Sequence, residues 1–180
     1  LKKYNPLHPT GIQVHFTDEN APMVLCEMLK AHLLEQTIIL CIGTDRCIGD
    51  ALGPLVGTLL ANKNFRYPLY GTLDDPIHAV NLESSLEKIK TEHPDAHIIA
   101  IDACLGQENL IGNIHIKKGP IYPGKGVGKS LPRVGHLSVV GIVDKLQNDD
   151  LYAIHHIRLS LIMHMAQIIA DAFMLATYLS

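Results

Sequence analysis

Two short apolar runs limit what this chain can fold into: Thr37-Ile-Ile-Leu-Cys-Ile-Gly43 and His97-Ile-Ile-Ala-Ile101. Both are too short for a packing helix, rich in isoleucine and free of polar alternation. Such runs read as strands covered on both faces, the situation of a parallel sheet. Each leads to an aspartate: a glycine loop follows the first run and ends at Asp50, and Asp102 comes directly after the second. In open α/β sheets ligands bind in the crevice beyond the carboxyl ends of the strands, so the two carboxylates are expected to share one cleft.

The rest of the chain alternates between the two periodicities. Asn20–Leu34, Ala51–Ala61, Asn81–Lys90 and Asp150–Leu179 carry apolar residues at helical spacing, with Pro22 allowed in a first turn and Pro94 stopping the third helix. Pro68–Leu73, Gly112–Gly119 and Leu137–Val143 read as further strands, the middle one alternating as a half-exposed strand does. Alternating strand and helix with right-handed crossovers predicts a three-layer α/β/α sandwich around a mainly parallel, doubly wound sheet. The 180 residues suit one α/β domain spanning 1–180, with residues 1–17 as an irregular N-terminal arm.

Several function classes are excluded at this level. A formal charge of -3 argues against nucleic acid as a partner. No apolar stretch reaches the roughly 18 residues of a membrane span, and the amino-terminal residues lack a signal-peptide core, so a cytoplasmic protein with no membrane partner is expected. Cys26, Cys41, Cys47 and Cys104 are widely spaced reduced thiols with no Cys-x-x-Cys pair; Cys47 and Cys104 flank the aspartates, where one is conceivable as a nucleophile. Gly124-Lys-Gly-Val-Gly-Lys-Ser130 is not a phosphate-binding P-loop, because Pro123 replaces its first glycine and Pro132 obstructs the helix that should follow. Gly124, Gly126 and Gly128 instead suit a loop closing over the aspartate cleft as part of a substrate-binding surface.

Asp50 has a bland explanation as the cap of the next helix. Asp102 has none, because a carboxylate at the lip of a buried strand is costly to desolvate. Two carboxylates brought close share one proton, which leaves a base to activate water and an acid to protonate a leaving group. The same pair with a third ligand could hold a divalent cation. Asp45, in the loop of Asp50, is a candidate substrate-site residue, with a surface pair to Arg46 as its alternative.

The segments Gly43-Thr-Asp-Arg-Cys-Ile-Gly-Asp-Ala-Leu-Gly-Pro54, Ile98-Ile-Ala-Ile-Asp-Ala103 and Pro123-Gly-Lys-Gly-Val-Gly128 resemble sporulation proteins of the YyaC family. That family is similar to the germination protease of spore formers, whose two catalytic aspartates fall by resemblance on Asp50 and Asp102. More distantly it resembles the hydrogenase maturation proteases, doubly wound α/β sandwiches in which two acidic positions and a histidine bind nickel. By that likeness His136, after the glycine-rich loop, joins Asp50 and Asp102 as a metal ligand. The resemblance implies a peptidase acting on a protein or peptide, possible substrates being the small acid-soluble spore proteins, in the forespore or spore core. It requires no cofactor beyond a possible divalent metal. The chain is shorter than a germination protease, so a non-catalytic spore protein that kept the cleft is the alternative.

Overall fold

Every side chain of strand β2 (Thr37–Cys41) is buried, as its uninterrupted apolar run requires. The computed structural model describes residues 11–123, 131–145 and 157–179. Its other strands are β1 (Ile12–His15), β3 (Leu69–Tyr70), β4 (His97–Gly106), β5 (Asn113–Lys118) and β6 (Leu137–Lys145). Its helices are α1 (Ala21–Lys30), α2 (Leu52–Asn62), α3 (Leu82–Glu92) and α4 (Leu159–Tyr178). The strands form one six-stranded sheet in the order β1-β5-β6-β4-β2-β3. β6, β4, β2 and β3 run parallel, β5 pairs antiparallel with β6, and β1 pairs antiparallel with β5 at that edge. The protein is therefore α/β with a mixed, mostly parallel sheet.

Alternate residues of the central strands feed two cores. Ile39, Cys41, Ile99, Ile101, Leu137 and Val139 pack with residues of α1, α2 and α4. Ile38, Leu40 and Ala100 pack on the opposite face with Leu82 and Ile89 of α3. Each fully buried isoleucine or leucine contributes roughly 1.5–3 kcal/mol. A core of this size can carry the cost of a partly desolvated carboxyl at its margin.

The glycines of the Gly43–Pro54 motif are explained by close approach. Gly43 has φ of 142°, and a Cβ there would collide with the carbonyl oxygen of Asp50. A Cβ on Gly53 would collide with the carbonyl of Ile42, so α2 lies with its backbone against the end of β2. Together they fold the loop tightly and fix where Asp50 stands.

Some sequence expectations change. Residues 12–15, assigned to the irregular arm, form β1, whose Val14 is buried and pairs in register with Ile114. A four-residue strand close to Pro9 and Gly11 leaves too short a pattern to read. α1 stops at Lys30 rather than Leu34, because the Thr37 hydroxyl accepts from the Leu34 amide at 2.8 Å and donates to the His32 carbonyl at 3.0 Å, holding a turn there. β3 shrinks to two residues. The final helix begins at Leu159 rather than Asp150; residues 150–156 lie outside the described residues. That helix is also long and apolar enough to cross a membrane by length and composition, contrary to the expectation that no stretch qualifies. Here its Ile162, Met165, Ile169 and Phe173 are fully buried in the core beneath the sheet.

Candidate active site

Asp50 closes a short 3-10 turn, Ile48–Asp50, immediately before α2. Its backbone is fixed at both ends, the amide donating to the Cys47 carbonyl at 3.0 Å and the carbonyl accepting from the Thr44 amide at 2.9 Å. Its side chain does not cap the helix. The N-cap position of α2 is Ala51 and no side-chain hydrogen bond reaches the first amides. The bland explanation of Asp50 is thereby removed, since its half-buried carboxyl caps no helix.

Asp102 lies within β4 rather than beyond it, since β4 continues to Gly106 alongside β6 and pairs Asp102 with Val140. The pairing of β4 with β2 ends at Cys41 opposite Ile101. From Asp102 onward β4 has no β2 partner, and the carboxyl stands where the sheet steps down. Its Oδ1 accepts the amide of the next residue, Ala103, at 2.8 Å.

The electrostatics tie the two together. Burial pushes Asp50 up to about 6, with His78 pulling in the opposite direction. Burial pushes Asp102 further, to about 8, and the charge on Asp50 adds to the rise while the Ala103 amide opposes it. The mutual repulsion acts on Asp102 alone for a physical reason. Asp50 loses its proton beside a neutral neighbour, whereas Asp102 must ionise beside an existing charge. Burial and the charge on Asp50 thus both hold Asp102 towards its protonated form.

Other candidates separate from this pair. Asp45 is exposed and enters the electrostatics of neither carboxyl. Among the described residues it forms no ion pair, with Arg46 or otherwise. Gly124, Gly126 and Gly128 lie outside the described residues. Cys104 sits two positions beyond Asp102 on the same strand. Burial and then the Asp102 charge push its thiol up to about 11, against a smaller pull from Lys117, so it is not a ready nucleophile. Cys47 is half-buried in the loop before Asp50.

His136 does not join the aspartates. Its amide donates to the Ile98 carbonyl at 2.7 Å and its Nδ1 accepts the Ile98 amide at 3.0 Å, at the amino end of β4. Ile98 precedes Asp102 by four residues, roughly 13 Å along a strand, whereas ligands of one ion lie within about 4 Å of each other. The nickel-type set of Asp50, Asp102 and His136 is thus not assembled, and among the described residues no three metal-ligating side chains converge. His136 stacks instead on His97 with ring centroids 4.9 Å apart, and His97 stacks on His32 at 5.8 Å.

The residue missed by sequence reasoning is His78. It follows Ile77, which bridges in parallel to Ile42 beyond the end of β2, and its charge reaches Asp50. The available signal was a histidine three residues before Asn81, the residue preceding α3.

A family model described as "Protein of unknown function (DUF1256)" matches residues 13–172. The chain is 40% identical over 153 residues to "Uncharacterized protein YyaC" of Bacillus subtilis (strain 168), covering 84% of this chain and 75% of that protein. The chain belongs to the YyaC (DUF1256) family.

Proposed function

We propose that this YyaC-family chain is a peptidase-type hydrolase that works with one proton shared between two aspartates. The observation that carries the reading is the opposed state of the pair: Asp102 is held protonated to about 8 by burial and by the charge of Asp50, while Asp50 ionises near 6. Pairs whose environments separate them in this way supply a base and an acid at one pH.

The chemistry follows from that division of labour. Asp50 takes one proton from water as the new O–C bond forms at the amide carbonyl, and Asp102 gives its proton to the carbonyl oxygen. As the tetrahedral diol collapses, the proton on Asp50 passes to the leaving nitrogen, the C–N bond breaks, and Asp102 recovers a proton from the diol. Water is consumed, two termini are released, and both carboxyls return to their starting states. The route uses water and the two side chains, with no further cofactor. The fold is read as a variant of the maturation-protease sandwich, and the substrate as a protein of the small acid-soluble class, met in the forespore or spore core. Support for these last points is the motif resemblance of residues 43–54 and 98–103 alone.

The test is proteolysis. Purified protein is incubated with a small acid-soluble spore protein and with an unfolded control protein, and new termini are mapped by mass spectrometry. Cleavage by the wild type that is lost in both Asp50→Asn and Asp102→Asn supports the reading. Equal cleavage by the variants contradicts it, and a wild type inert toward both proteins but retaining a specific spore partner favours a binding role.

A further inference from the structure

We infer that the His136 ring is an acid-labile clasp, fastening the connection between β5 and β6 to the amino end of β4 while it is neutral and releasing it when protonated. The inference is independent of the hydrolase reading, because it concerns the opposite end of the strands. After β5 the chain leaves the sheet and comes back at His136, one residue before β6. The two stems of this excursion are bonded to each other: the Gly119 amide donates to the His136 carbonyl at 2.8 Å, the Ile121 amide to the Val134 carbonyl at 2.8 Å, and the Val134 amide to the Ile121 carbonyl at 3.1 Å. Gly135 brings the returning stem against β4, with φ of 98° and Ala100 so near that a Cβ there would crowd it. The next residue makes two bonds to Ile98. The His136 amide donates to the Ile98 carbonyl at 2.7 Å, and the Ile98 amide donates back to His136 Nδ1 at 3.0 Å.

The second bond fixes the protonation state of the ring. A nitrogen that accepts an amide proton carries none of its own, so the ring is neutral with its proton on Nε2. A second proton goes to Nδ1, where it meets the Ile98 N–H head on; the acceptor becomes a donor and the bond is lost. The ring is exposed, so water can deliver that proton, and histidine is the side chain that ordinarily changes charge between about pH 5 and 8. Its neighbours do little to welcome the charge. His136 stacks on His97 with centroids 4.9 Å apart and His97 on His32 at 5.8 Å, so acid gathers positive charge in one column. Lys118 of β5 adds a cation that acts on His32. On the other flank Lys90, His93 and Asp95 line the cavity that His136 borders, and His93 Nε2 is 2.9 Å from the Tyr70 hydroxyl, which donates to Glu92. The carboxylates there are an exposed Asp95 and a Glu92 already engaged by Tyr70, and among the described residues neither pairs with His136.

The experiment is amide hydrogen exchange followed by NMR at about pH 7.5 and about pH 5, corrected for the intrinsic rate. It compares the wild type with His136→Asn, whose side-chain oxygen can accept the Ile98 amide and does not titrate. In the wild type, protection of the Ile98 amide is expected to fall about tenfold on acidification, the equivalent of one net hydrogen bond, with Gly119, Ile121 and Val134 following it. The Ile42 amide, bonded to the Ile101 carbonyl further along β4, is the reference and should hold. In His136→Asn the Ile98 amide should be equally protected at both pH values. A wild-type Ile98 amide insensitive to pH, a fall shared by Ile42, or the same fall in His136→Asn overturns the inference. If His136→Asn is unprotected at both values, nitrogen NMR of the wild-type imidazole decides. A proton gained at Nδ1 together with the loss at Ile98 supports the clasp, and an Nδ1 that stays bare while Ile98 is lost overturns it.

Discussion

The two ends of the parallel strands bury opposite kinds of acid–base group, and burial acts on them in opposite senses. At the carboxyl end Asp50 and Asp102 are pushed up, so the folded state prefers them with their proton. At the amino end His97 and His32 are pushed down by burial and by neighbouring positive groups, so the folded state prefers them without one. Desolvation disfavours the charged form in both places. The difference lies in what surrounds each end. The histidines stack on one another, and among the described residues the buried His97 Nε2 has no hydrogen-bond partner, which favours the neutral ring. Asp102 stands where β4 runs on past the end of its pairing with β2. Burial of a titratable group by itself therefore does not mark an active site.

The largest effect expected concerns activity. Asp50→Asn and Asp102→Asn should each lower hydrolysis by on the order of a thousandfold or more, since members of a catalytic unit are not independent, while circular dichroism reports an unchanged fold. Loss in only one variant would break the symmetry assumed for the carboxyl end.

Stability comes next. Asp102 has a folded midpoint of about 8, above its unfolded value of about 3.9. The folded state thus binds the proton more tightly, and stability falls as pH rises from about 4 to about 8. Asp102→Asn cannot ionise, so it should be more stable than the wild type at pH 9 by on the order of a few kcal/mol, with little difference at pH 4, by urea unfolding.

The amino end should show the mirror image. His97 is depressed when folded, so its stabilising effect is present above the unfolded value of about 6.5 and lost as pH falls below it. His97→Phe keeps a ring in the stack and should flatten that acid loss between pH 7 and pH 5, measured by urea unfolding. An unchanged slope would mean that the stack carries no acid sensitivity. The smallest effect is expected at His136: His136→Ala should leave the cleavage rate at pH 7 within about twofold, because the residue lies a strand's length from the aspartates.

Much of this was legible in the residues and some was not. The apolar runs located β2 and the first half of β4, and helical spacing located all four helices, because burial on one or both faces leaves a periodic trace. The second half of β4, Asp102–Gly106, left none, since it is held by pairing with β6 and not by an apolar pattern. Asp102 consequently read as lying past its strand when it lies inside it. His136 follows the glycine-rich loop in sequence. It nevertheless returns to the amino end, because β6 runs parallel to β4 and must begin beside Ile98. His78 was hidden because its segment meets the loop after β2 only through pairing between residues distant in the chain, Ile42 with Ile77 and Gly43 with Ile77.

The coupling of Asp50 to Asp102 is tested most directly by the carboxyl-carbon NMR titration of Asp102 in the wild type and in Asp50→Asn. The account predicts a wild-type midpoint near 8 that falls when Asp50 can no longer ionise, yet stays above the usual aspartate range because burial remains. A midpoint identical in the two proteins would mean that the aspartates do not share a proton, and the proposed chemistry would be wrong.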